Sequence, residues 1–351
     1  MSAGCSDSEP AASSSPGKPA TTGTSAGGVN VEFNYMNSLV PSTYVQLDDL
    51  KLNFIEFNVI NPTGSTKTVI VESEVPGFTE KAVNTIDVPA RGNVTIGQAP
   101  SLRVSAIPTE MTPATLHVKV SLADGTRIDE QTVPIKIYAK DTMVWQVFDG
   151  EQWNDMSPYI GAWVTPHAAG IDPLVRKAAE YHPQKSINGY QCGDSCTDAM
   201  WQEDTNEQVK AIFTALKNDY RITYINSPIA FAKQSDNPQR VRLPAESLTS
   251  KSANCIDGTV LYASALESIG MTPHLILIPG HAFVCYETKQ NSPNSLSCLE
   301  TTMTGTSTFE EAVQEGNQKY LTEINNGDFN SGASQDLSVA VLRKEGISPM
   351  Q

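Results

Sequence analysis

Residues 252–287 read SANCIDGTVLYASALESIGMTPHLILIPGHAFVCYE, and the order of elements in this stretch decides how the second half of the chain folds. Asn254 is a good helix N-cap. Apolar Ile256, Val260, Leu261, Ala263, Ala265, Leu266 and Ile269 leave the helix that follows little polar face, so it is expected to be buried. It runs to about Ser268, with Gly270 as its stop. After Pro273 come four consecutive apolar residues, 275–278, typical of a strand covered on both sides. Pro279-Gly280 then turns the chain into a second strand. On it His281, Phe283 and Cys285 point one way, and Ala282, Val284 and Tyr286 the other.

Cys255 falls in the first turn of that helix, where orphan backbone N–H groups and the positive end of the dipole favour thiolate over thiol. His281, delivered by a neighbouring strand, would make a nucleophile–base pair. An acid is then needed to hold the imidazole in one tautomer. Glu287 shares the face of His281 but lies about 20 Å further along an extended strand, out of reach. Residues 289–295, rich in Asn, Ser and Pro, read as a hairpin loop, and 296–302 as the returning strand. Glu300 on that strand is the candidate acid.

Each of these residues has a plainer reading when taken alone. A buried cysteine is usually a small hydrophobe, Glu300 a solvated strand residue, His274 a structural histidine, and Asp257 a first-turn carboxylate favoured by the dipole. The combination at this spacing is what points to thiol chemistry.

That spacing resembles the transglutaminase-like superfamily of papain-related cysteine enzymes, over residues 159–302 and most strongly over 239–302. The likeness rests on Asn254-Cys255-Ile256-Asp257, on Pro279-Gly280-His281-Ala282-Phe283, and on Leu299-Glu300-Thr301-Thr302. Upstream, Trp163-Val164-Thr165-Pro166 and Gln239-Arg240-Val241-Arg242-Leu243-Pro244 look like a bacterial branch. The acid departs from the pattern: the superfamily commonly has Asp followed by a Pro-Thr-like turn, where this chain has Glu300-Thr301-Thr302.

The resemblance implies a transglutaminase-like α+β domain in which Cys255 attacks an acyl carbon, His281 transfers the proton and Glu300 orients His281. The Cys255 N–H would donate to the oxyanion, with a side chain completing the hole. Gln239 is the first choice for that donor and Trp201 the other. Hydrolysis of peptide or isopeptide bonds through a thioester is the first expectation, and amine transfer giving a glutamine–lysine crosslink the second. Both take a peptide or protein substrate, and neither calls for a metal or a cofactor. The rival is a non-catalytic envelope module that keeps the fold for binding. In it Cys255 would be buried, far from His281, or paired with another cysteine.

Outward from this core, residues 29–140 read as all-β, with runs at 29–35, 52–60, 66–75, 93–96, 116–122 and 128–137. Asp124-Gly125 between two alternating runs is a hairpin signal. Such spacing fits an immunoglobulin-like β-sandwich with no chemistry-bearing cluster, His117 being its lone histidine. The catalytic region spans 150–345. Its helical spacing at 172–181 and 206–220 has Asp204, Thr205 or Asn206 available to cap the second helix.

Six cysteines are present. Ser2-Ala3-Gly4-Cys5 looks like the tail of a bacterial lipoprotein cleavage site, with Cys5 the lipidated residue. Residues 6–28 are mostly Ser, Ala, Thr, Gly and Pro, so 1–28 reads as a lipid site and flexible tether. The chain is therefore expected to be an exported lipoprotein, anchored to the membrane in the periplasm or at the cell surface.

Cys192 and Cys196 flank a short flexible segment that a disulfide can close. A zinc site there lacks a second ligand pair at suitable spacing. Cys285 and Cys298 share a face of the proposed hairpin. If His281 sits directly opposite Glu300 they are only diagonal, at about 7–8 Å, too long for an unstrained bridge. A shift of two residues sets them opposite, so disulfide and triad constrain the register jointly. A net charge of −15 argues against sequence-independent nucleic-acid binding, and no apolar run reaches the roughly 20 residues that span a bilayer.

Overall fold

A computed structural model describes residues 22–45, 53–148, 153–193, 195–226 and 238–350. Cys5, the expected lipid site, lies outside them. The chain is of mixed α+β structure and divides into two compact units, Ser13–Asp155 and Met156–Gln351.

The first unit is built of strands β1 (Thr22–Ala26), β2 (Val29–Tyr35), β3 (Ser38–Leu39), β4 (Ile55–Asn61), β5 (Lys67–Glu74), β6 (Ala82–Val88), β7 (Gly92–Gln98), β8 (Thr112–Leu122) and β9 (Arg127–Ile137). They form a four-stranded sheet, β1-β2-β4-β7, and a five-stranded sheet, β3-β9-β8-β5-β6. Alternation supplies the core: every second residue of β4 is buried. Val31, Phe57 and Val59 of one sheet share a single cluster with Val71, Val118 and Ile135 of the other.

Two readings of this region need correction. Residues 22–26, assigned by composition to the tether, form strand β1, hydrogen-bonded to β2. The signal was Gly27-Gly28: both have positive φ, 62° and 77°, as a two-residue hairpin turn requires. Strand β6 was missed because it is an edge strand, mostly exposed, and carries almost no apolar alternation.

The second unit contains helices α1 (Ile171–Ala179), α2 (Asp198–Asn218), α3 (Pro244–Ser250), α4 (Cys255–Ser268), α5 (Phe309–Asn326) and α6 (Val339–Lys344). Its main sheet runs β12-β11-β10-β13, from strands β10 (Pro273–Ile278), β11 (His281–Glu287), β12 (Leu296–Leu299) and β13 (Gln335–Ser338), all antiparallel. Helix α4 is buried from Cys255 through Leu266 and packs against β10 and β11, while α5 packs against β12. Helix α2 begins eight residues before its expected start, capped by Thr197 and not by residues 204–206. The first turn, Asp198 to Trp201, carries an acid favoured by the dipole but no apolar period to announce it. No helix among the described residues is long and apolar enough to cross a membrane.

The hairpin register is settled by the cysteines. Cys285 is directly opposite Cys298 and bonded to it. His281 is therefore not directly opposite Glu300. Strand β12 ends at Leu299, and Glu300 caps a short 3₁₀ turn, Thr301–Met303, instead of continuing the strand.

Candidate active site

Helix and strand lengths bring the two halves of the site to one end of the sheet. Fourteen residues of α4 descend about 21 Å, and the six residues of β10 return about 20 Å. The start of α4 therefore lies level with the start of β11, where His281 stands. At the helix start, Asn254 Oδ1 accepts from the Asp257 N–H at 2.8 Å, and Asp257 Oδ2 accepts from the Asn254 N–H at 3.2 Å. Cys255, 0% exposed, is the one described cysteine outside a disulfide.

Asp257 does more than stabilise its helix. Its other oxygen accepts from the Arg242 N–H at 2.8 Å, and Trp163 Nε1 donates to Val241 O at 2.8 Å. The first bond ties the segment bearing Gln239, itself buried, to the start of α4, and the second ties it to Trp163. Trp201, the other oxyanion candidate, is placed elsewhere. Its ring meets Tyr190, whose hydroxyl donates to Glu287 O, at the opposite end of β11 from His281.

His281 and Glu300 are brought together. Nε2 of His281 donates to Glu300 Oε2 at 2.6 Å, with the residues 8% and 1% exposed. The second oxygen, Oε1, accepts from Thr302 N at 3.1 Å and Thr302 Oγ1 at 2.7 Å. Lys319, on α5, adds a donor to Oε2 at 2.6 Å and stands 3.4 Å from His281 Nε2. Burial alone would raise the Glu300 carboxyl, but the His281 hydrogen bond and the charges of His281 and Lys319 outweigh it and hold it down to about 2.

Two close approaches join these parts. Thr301 Oγ1 donates to Cys255 O at 3.4 Å, so the residue after the acid touches the cysteine's own backbone. Gly258 permits this: a Cβ there would lie 2.8 Å from Thr301 Oγ1. Gly316 does the same for α5, where a Cβ would lie 2.7 Å from the Cys298 carbonyl. One turn on, Lys319 thereby reaches Glu300. Lys319 escaped the sequence reading because, four residues after Glu315, it looks like half of a solvated i,i+4 pair. A glycine inside a helix, on the same face three residues earlier, was the available signal.

Cys192–Cys196 and Cys285–Cys298 are both disulfides, which indicates an oxidising, exported compartment. Among the described residues no group of three or more His, Cys, Asp or Glu is arranged to hold a metal ion.

No protein-family model matches the chain, and no curated protein matches it. Among solved structures, a similar chain is the exo-chitosanase CsxA of Amycolatopsis orientalis, 10% identical, with a TM-score of 0.19. That match covers 59% of this chain and spans 27% of the chitosanase chain. A likeness at that level carries no argument about fold or activity.

Proposed function

We propose that the chain is a cysteine-dependent acyl-transfer enzyme acting on amide bonds in the bacterial envelope. Its second unit is read as a transglutaminase-like domain, its first as an immunoglobulin-like sandwich, and Cys5 as the lipid anchor. One observation carries the reading: the buried 2.6 Å bond between His281 and Glu300, at the end of the sheet where Cys255 begins its helix. Because Nε2 is engaged by Glu300, Nδ1 is the nitrogen that takes the thiol proton. The Cys255 sulfur attacks the amide carbon, and the oxyanion meets the Cys255 N–H with Gln239 as the second donor. His281 returns the proton to the departing amine, leaving a thioester. Water, deprotonated by His281, then releases the carboxylate and restores the thiol. An amine in place of water gives a new amide instead. Hydrolysis of peptide or isopeptide bonds is the favoured outcome.

The full burial of Cys255 favours a second reading, a binding module without catalysis. Iodoacetamide labelling across pH separates the two. Rapid labelling of Cys255 near neutral pH, lost in His281→Ala, is the expected result. Sluggish labelling with a midpoint near ~8.5 is that of an ordinary thiol and ends the enzyme reading. Profiling envelope peptides with wild type against Cys255→Ala, with and without an added amine, then identifies the acyl group and its acceptor.

A further inference from the structure

We propose that Lys319 is a positioning residue of this site, holding the Glu300 carboxylate against His281; the inference rests on the acyl-transfer reading of Cys255. Each carboxylate oxygen of Glu300 is held by two donors: Oε1 by Thr302 N and Oγ1, Oε2 by His281 and Lys319. The carboxylate therefore cannot rotate about its terminal torsion without breaking bonds at both oxygens. Charge supplies the second argument. Glu300 is 1% exposed, and a buried ionised acid requires a partner. His281 provides a full positive charge only while protonated, and the proposed cycle makes it neutral at each turnover. The Lys319 ammonium, 2.6 Å away, takes no part in the proton transfers and balances Glu300 when His281 is neutral.

The plainer reading, a surface lysine paired with Glu315 at 3.4 Å, accounts for less. The Lys319 side chain is only 21% exposed, and its distance to Glu300 is the shorter of the two. Gly316 lets the α5 backbone press against β12, which aims this side chain inward.

Among the described residues, the titratable or charged groups at the His281 end from the elements packed against β11 are Glu300 after β12, Lys319 and Glu315 on α5, and Cys255 and Asp257 at the start of α4. Removing Lys319 leaves Glu300 uncompensated whenever His281 is neutral, so protonation of His281 becomes easier. The experiment measures the rate of Cys255 alkylation by iodoacetamide across pH in the full chain. In Lys319→Met the alkaline edge of the His281-dependent rate moves up by on the order of one pH unit. Lys319→Arg brings the edge back to the wild-type position, and Glu315→Gln leaves it there. A lysine that only props the helix lowers the melting temperature of Lys319→Met without moving the edge, and that result overturns the proposal. Should Lys319→Met fail to fold, Lys319→Gln keeps a donor without the charge and is read the same way. An edge that needs His281 but ignores Lys319 removes this assignment alone. Identical wild-type and His281→Ala profiles remove the acyl-transfer reading, and Lys319 with it.

Discussion

The two ends of the β10–β11 hairpin each bury a histidine bonded to a carboxylate at 2.6 Å, yet they are built for different purposes. At one end His274 Nδ1 meets Asp336, which also accepts from the Tyr320 hydroxyl at 2.8 Å, while His274 Nε2 faces Glu287 at 3.7 Å. Both ring nitrogens face acids, and the ring ties together β10, β11, β13 and, through Tyr320, α5. At the other end one acid and one ammonium converge on a single nitrogen, His281 Nε2. The start of the cysteine helix lies level with it. A buried histidine–carboxylate bond is therefore ordinary sheet architecture. What distinguishes the His281 end is that the acid is saturated with donors and one ring nitrogen is left outside the acid's reach.

Three perturbations test this contrast. The largest effect is expected from Glu300→Gln, which lowers His281-dependent labelling of Cys255 on the order of 10²-fold by loosening the ring. The same variant carries a stability signature. The folded carboxyl sits near 2 against an ordinary 4.5, so its contribution is complete above about pH 4.5 and is lost as pH falls toward 2. The loss amounts to on the order of 3 kcal/mol for this buried group. Urea unfolding of wild type and Glu300→Gln across that window reads it directly, and equal slopes for the two proteins refute it.

Next comes His274→Gln, which leaves two acids without their common partner and costs roughly 2–3 kcal/mol in urea unfolding. Labelling of Cys255 should change by less than about twofold, as expected of a residue outside the reaction. A large change in labelling would erase the distinction between the two ends. The smallest effect is that of Gly258→Ala. Alanine in a helix ordinarily stabilises by up to about 1 kcal/mol, but here the new methyl meets Thr301 Oγ1, and a net cost of about 1–2 kcal/mol is expected. Adding Thr301→Ala relieves most of it, and an additive double-mutant cycle would show that the close approach does not matter.

Much of the His281 end was legible in the sequence. Asn254 and the apolar residues after Cys255 specify a buried helix with a cysteine at its start, because capping and burial are local properties. His281 follows from a two-residue turn after an apolar strand. Glu300 was found through the hairpin, although its register was not, since both candidate alignments keep the same faces buried. Lys319 and the partnership of His274 with Asp336 were not legible. Both depend on elements distant in sequence, α5 and β13, whose approach is set by packing at Gly316 and by strand order, not by any local pattern. Strand β1 was hidden for a different reason: its Thr- and Ser-rich composition suggests a tether, and only the glycine pair betrays the turn.

The Cys285–Cys298 bridge has a consequence beyond stability. A strand that slips by one residue turns its apolar face outward and is rejected by burial, but a slip of two leaves every side chain on its proper face. Hydrophobic patterning is blind to that error, and the hydrogen-bond ladder corrects it only weakly in a strand as short as Leu296–Leu299. The covalent bond between opposed residues is the component that detects it. Two cysteines with no chemical part in the proposed reaction thus act as its alignment gauge, fixing to within one residue where the acid meets the base.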